Sequence, residues 1–219
     1  MTAKELSALI AGNKIDELKA SVVADESVAT QKTDQGISLL QYAVYCRNPK
    51  AIDILRPVTP LNAYEAASLG ETNVVKAELA KNPALLNSFS PDGFPLLGLA
   101  CFFGHYQVAE LLLKAGADPN LAATNAFKVA PIHASCAISN FEITELLIRS
   151  GAHVNVRQLE DVTPLHETAH NGKTELCRLL VDNGADLNAK TTRGQTPLQM
   201  AIEKGFAETA EWLRNQGAA

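Results

Sequence analysis

With 219 residues, 47% of them hydrophobic and 20% charged, the chain has the composition of a folded globular protein; its 13 glycines and 10 prolines fit neither collagen nor a disordered tract. A net charge of −5 with no run of Lys and Arg argues against a nucleic-acid partner. No stretch of about eighteen apolar residues is present, so no membrane span is expected.

The opening "MTAKELSALIAGNKIDELKA" carries acids early and no long apolar stretch, which does not fit a signal peptide. Cys46, Cys101, Cys136 and Cys177 form no C-x-x-C pair and are too sparse for an oxidised framework. Reduced thiols in a cytoplasmic compartment are therefore expected.

Taken in chain order, the segments repeat. "AKELSALIAG" from Ala3, "SLLQYAVYCR" from Ser38, "LNAYEAASLG" from Leu61 and "PLLGLACFFG" from Pro95 are followed by "APIHASCAIS" from Ala130, "TPLHETAHNG" from Thr163 and "TPLQMAIEKG" from Thr196. The starts at 3, 38, 61, 95, 130, 163 and 196 are 35, 23, 34, 35, 33 and 33 apart, the period of a helical array. Gly104 and Gly116, Gly172 and Gly184, and Gly205 and Gly217 bracket apolar stretches such as "HYQVAELLLKAG" that read as a second helix. Each unit is predicted to be helix, turn, helix and an extended loop.

Residue types give the reasons. Thr163 and Thr196 suit a helix N-cap, and Pro131, Pro164 and Pro197 suit the first helical position, where no N–H is needed. Gly104, Gly172 and Gly205 end the first helix. Ala100, Ala169 and Ala201 let helices approach, and Leu111, Leu112, Leu146, Leu147, Leu179 and Leu180 form an apolar stripe that only stacked neighbours can bury. Gly36, Gly93 and Gly194 read as turn glycines at the tips of the extended loops.

From about residue 3 to 218 this pattern resembles the ankyrin-repeat family, most strongly where T-P-L-H and "GADPN", "GAHVN" and "GADLN" occur. The resemblance implies an all-α ankyrin-repeat solenoid: about seven helix-turn-helix units with hairpin fingers, forming one domain over 1–219 and binding through a concave groove and finger tips. The third and fourth units look like free-standing bacterial ankyrin proteins, and "KIDELKASVVADESVATQKTDQG" is similar to the first units of gankyrin-type chaperones.

Several departures predict irregularity. The 23-residue gap is about ten short; the second helix there should end by Arg56, with Pro57 and Pro60 replacing a finger. Arg47 and Ser139 stand where glycine ends a helix, and loop 119–130, "PNLAATNAFKVA", is about two residues longer than its siblings.

His166-Glu167-Thr168-Ala169-His170 also matches H-E-x-x-H, so a zinc-dependent hydrolase is the alternative reading. Such an enzyme needs a long helix, a third ligand and a cleft. Here the helix stops near Gly172, and His133, one unit away, would be about 10 Å distant, the packing distance of helices. His133 and His166 are expected to make helix-start and inter-unit hydrogen bonds. Cys101, Cys136 and Cys177 fall at helix-packing positions, and neither metal nor cofactor is expected.

The fifth, eighth and ninth residues of each unit share one helix face. In the family that face lines the groove, which gives Tyr42, Tyr45 and Cys46, then Glu65, Ser68 and Leu69, then Leu99, Phe102 and Phe103, then Ala134, Ala137 and Ile138. Glu167, His170 and Asn171, and then Met200, Glu203 and Lys204, complete it. The expected groove is apolar and aromatic in its first half and polar in its second, with Phe94 and Phe127 near finger tips extending the patch. The competing expectation is that loop 119–130 covers Phe102 and Phe103.

The expected function is therefore non-enzymatic binding of a protein partner, as inhibitor, chaperone or scaffold. Polar end units, with Lys4, Glu5, Asp16, Glu17 and Lys19 at one end and Glu203, Lys204, Glu208, Glu211, Arg214 and Gln216 at the other, favour a monomer over a self-assembling array. Trp212 is expected in the core.

Overall fold

A computed structural model describes the chain from Met1 to Ala219. Its regular structure is seven successive helix pairs: α1 (Ala3–Ala11) with α2 (Ile15–Ala24), α3 (Leu39–Tyr45) with α4 (Pro49–Leu55), α5 (Ala63–Leu69) with α6 (Thr72–Lys81), α7 (Leu96–Phe102) with α8 (Tyr106–Lys114), α9 (Pro131–Ala137) with α10 (Phe141–Arg149), α11 (Pro164–His170) with α12 (Thr174–Asp182), and α13 (Pro197–Glu203) with α14 (Ala207–Asn215). Helices this short are marginal by themselves; stacking on the neighbouring pair stabilises them. No helix is long and apolar enough to cross a membrane.

Caps fix where the first helices begin. Thr196 accepts from the Gln199 N–H at 3.3 Å while Gln199 accepts from the Thr196 N–H at 2.9 Å. At α5 the same exchange runs between Asn62 and Glu65, so the cap lies at Asn62, one residue later than the repeat alignment suggests. Arg47 and Ser139 take the left-handed conformation, φ 48° and 58°, in place of the usual glycine.

Five hairpin fingers precede first helices, each closed by one backbone bond: Thr33 N–H to Ile37 O, Ser90 to Phe94, Ala123 to Val129, Gln158 to Val162 and Thr191 to Gln195, at 2.8, 2.8, 2.9, 3.0 and 3.1 Å. The Ala123 finger encloses two residues more than the others, as the long loop predicts. Successive fingers join through Thr124 N–H to Gly93 O, Leu159 N–H to Phe127 O and Thr192 N–H to Glu160 O, at 2.9, 3.0 and 2.9 Å. Between α4 and α5 there is no finger: α4 ends at Leu55, a single 3-10 turn follows over Arg56–Val58, and the chain enters α5.

That deletion divides the core. Twelve buried side chains from the first two units, Leu6 to Leu55, form one cluster, and thirty from the remaining five units, Ala63 to Leu213, form another. The seam is crossed by polar contacts: Gln41 Nε2 donates to Ser68 Oγ at 3.0 Å, Arg56 pairs with Glu71 at 3.1 Å, and Tyr45 reaches Asp92. Later units are tied more regularly. The Asn120, Asn155 and Asn188 side chains each accept the backbone N–H of the following unit (His153, Asp186 and Ala219) at 2.8 Å.

The stripe is buried as expected at Leu112, Leu147 and Leu180, as are Ala100, Ala169 and Ala201. Trp212 is a partial correction. It is half-buried at the edge of the core, with the Arg178 guanidinium 5.2 Å from its ring centroid. Contact with one neighbouring unit only leaves one side of the indole uncovered.

Candidate functional site

The face carrying the first helices and the fingers holds a cavity of about 780 Å³, within the size range of ligand sites. Tyr42 and Tyr45 of α3 and Leu99 and Phe102 of α7 form one wall. Three fingers form the other, through Gln35 and Ile37, through Pro91 to Phe94, and through Thr124, Asn125 and Phe127. The missing finger explains the space: α3 and α7 flank the one junction from which no finger projects.

An aromatic cluster continues out of the cavity. The Tyr45 and Phe103 rings lie 5.8 Å apart, and Phe102 meets Phe103 edge-on at 5.1 Å. Phe102 is 38% exposed and Phe127 57%. Phe103 and Phe94 are half-buried. Loop 119–130 does not cover Phe102: it bends back onto Gly93 through Thr124 and onto Asp92 through Asn125, and so becomes the opposite wall. Beyond Phe127 the patch reaches the next finger tip at Leu159, 50% exposed.

Tyr45 is the hinge between the walls. Its hydroxyl donates to Asp92 Oδ2 at 2.5 Å, and burial, followed by the Asp92 carboxylate, pushes the phenol well above its ordinary pKa. Ser90 donates to the other oxygen, Oδ1, at 2.6 Å. Tyr42 is raised as well, by burial and then by the neighbouring Cys46 thiol. Cys46 itself is exposed.

Four expected groove residues are corrected. Glu65 is 4% exposed because, with Asn62 as the cap, its carboxylate folds back onto the Asn62 N–H. Leu99 is 2% exposed; the start of α7 is pressed between its neighbours, so Leu99 forms only the back wall. Ser68 and Ala134 are buried for the same reason of inter-unit packing. Leu69 and Ile138 are half-buried, and Ala137 is exposed.

Downstream the face is polar. His170, Glu203 and Lys204 are exposed, and Asn171 is half-buried, donating to Ala137 O at 3.4 Å. Finger glutamines reach the helix carboxylates: Gln158 donates to Glu167 at 2.5 Å and Gln195 to Glu203 at 2.8 Å. Burial raises the Glu167 carboxyl above its usual range, against the Gln158 hydrogen bond.

The H-E-x-x-H residues do not converge. His166 is fully buried, with Nδ1 accepting from the Thr163 N–H at 3.2 Å and Nε2 facing Gln195 O at 3.1 Å, while His170 is exposed. No three His, Cys, Asp or Glu side chains are grouped to hold an ion. His133 repeats half of the His166 arrangement, with Nε2 facing Val162 O at 3.1 Å. Its Nδ1 has no partner, because Ala130 stands where Thr163 supplies a hydroxyl. Cys101, Cys136 and Cys177 are buried, and burial pushes Cys136 up to about 12 and Cys177 up to about 11, so no reactive thiolate is available there.

Asp92, Asn125, Thr124, Gln35 and Ile37 were not identified from sequence as surface residues. The signals that point to them are the Pro91-Asp92-Gly93 turn and the short second gap.

Family models for ankyrin repeats match residues 131–219 (three copies) and 99–148 (many copies). No curated protein matches the chain, and the similarity to gankyrin-type chaperones finds no support in these comparisons.

Proposed function

Because the chain belongs to the ankyrin-repeat family, whose members are generally protein–protein interaction modules and typically non-enzymatic, we propose that it is a non-enzymatic binding module whose partner protein docks along the finger side. The observation that carries this is the aromatic patch from Tyr45 and Phe103 through Phe102 to Phe127, open to solvent around a 780 Å³ cavity. With Phe102 38% and Phe127 57% exposed, covering what remains open of each ring is worth about 0.5–1.5 kcal/mol of apolar burial. Glu167, His170, Asn171, Glu203 and Lys204 form the polar half of the same surface, with less energy and more selectivity.

The reading takes the seven units as one domain, a cytoplasmic monomer that inhibits, shelters or scaffolds its partner. Support comes from the polar contacts across the seam, the charged outer faces of α2 and α14 and three buried unpaired thiols. The test is affinity capture from the source cell with the wild type beside Phe102→Ser and Phe127→Ser. The partner is expected to be lost from both variants at unchanged melting temperature; its retention by both overturns the reading.

A further inference from the structure

We propose that the cavity between the fingers accepts a basic side chain of the partner, an ammonium or guanidinium head lodged against the aromatic rings and beside the Asp92 carboxylate. This rests on the protein-binding reading and narrows it to a ligand class. Five of the twelve aromatic residues of the chain (Tyr42, Tyr45, Phe94, Phe102 and Phe127) line this one cavity. No Lys, Arg or His lines it; its single ionisable group besides the two phenols is Asp92.

Asp92 is a half-buried carboxylate without a cation. Its two side-chain hydrogen bonds come from the neutral hydroxyls of Ser90 and Tyr45, and none of the eight ion pairs in the molecule includes it. The two hydroxyls fix its position without cancelling its charge. The Asp92 carbonyl accepts from Asn125 Nδ2 at 3.2 Å, so the finger that carries the carboxylate is held from the far wall too. The result is a preset negative charge in a cavity lined by aromatic rings, whose faces carry negative potential at their centres.

A cation gains from both features. Ring faces attract ammonium and guanidinium groups, and a carboxylate partly withdrawn from water acts with less screening than a surface one. An anionic group is repelled by the same elements, and a neutral group of equal shape gains only apolar contact. Ile37 and Leu99 offer the aliphatic wall that a Lys or Arg stem packs against. The cavity exceeds what one small cation fills, which fits a side chain entering with its flanking residues rather than a free ion.

The experiment uses the full chain and four five-residue peptides that are blocked at both ends and differ only at the centre, with Lys, Arg, norleucine or Glu there. Affinity is read by calorimetry at low salt. The Lys and Arg peptides are expected to bind about tenfold more tightly than the norleucine peptide, and the Glu peptide weakest. Asp92→Asn, which keeps the shape and an acceptor for Tyr45, should bring Lys and Arg down to the norleucine level. Norleucine binding should stay unchanged, and the melting temperature should fall by only a few degrees, because the amide keeps one acceptor but not the charge that strengthens both hydroxyl hydrogen bonds. Phe102→Leu should lower the same preference while keeping apolar area.

Equal binding of norleucine and Lys, or a preference unchanged in Asp92→Asn, overturns the cation assignment and leaves the protein-binding surface standing. Saturation by tetramethylammonium chloride with no peptide bound overturns the assignment to a side chain. Retention of the captured partner by Phe102→Ser and Phe127→Ser overturns the underlying surface instead.

Discussion

Ala130→Thr restores the hydroxyl that the fifth unit lacks, and it isolates one link in the inter-unit chain of histidines. In the sixth unit the Thr163 hydroxyl lies 2.8 Å from His166 Nδ1, whereas the equivalent nitrogen of His133 is buried without a partner. The backbone at Ala130, φ −79° and ψ 158°, is already that of a cap, close to the −99° and 164° of Thr163. The pocket tolerates threonine in the sister units, where Thr163 and Thr196 are buried at the same position. A new cap contributes about 0.5–2 kcal/mol, and pairing a buried acceptor recovers part of a penalty of about 1–3 kcal/mol. Fixing the side chain and fitting its methyl offset some of this, which leaves a net gain of about 1–2 kcal/mol. Urea unfolding should show that gain as a higher midpoint at unchanged slope, equivalent to a rise of about 3–6 °C in melting temperature. Ala130→Val supplies the same bulk without the hydroxyl and should be neutral or destabilising. If threonine is no more stable than valine, the assignment of the unpaired nitrogen is refuted.

Stability should fall in acid through the same histidine. Burial lowers the His133 pKa from 6.5 to about 4, so the folded state excludes a proton that the unfolded chain takes up. The stabilisation is therefore complete above about pH 6.5 and lost as the pH falls through about 4, by up to about 3 kcal/mol. His166, lowered in the same direction by burial, adds to that window, so the check is a flatter stability-versus-pH curve for His133→Gln than for the wild type. Gly93→Ala should separate the second and third fingers. At φ +86° an added Cβ would meet Thr124 Oγ1 at 2.7 Å, and the left-handed strain alone costs about 1–2 kcal/mol, with weaker partner capture as the functional readout. Hydrogen exchange should resolve two cooperative units, with amides of α1 to α4 opening at lower free energy than those of α7 to α12. Uniform protection along the chain would refute the seam.

Much of the array was legible from residue types, because each local device repeats. A Thr or Ser before Pro or Leu, a turn residue nine positions later and a Leu stripe after it define a unit wherever they recur, and the short second gap marks the lost finger. Arg47 and Ser139 could be placed in strained turns from register alone, as could the burial of Cys101, Cys136 and Cys177. The opening of the groove was not legible. Glu65 and Leu99 lie at surface positions by helix geometry and yet are sealed, one by a cap displaced by a residue and the other by its neighbours. Whether Phe102 stays open depends on the path of a twelve-residue loop, which Gly93 decides by accepting from Thr124. Tyr45 and Asp92 are 47 residues apart, and nothing in either local pattern anticipates their hydrogen bond. Periodicity determines which face a side chain takes on its own helix; exposure is set by what other units place above it, and that emerges only when the units stack.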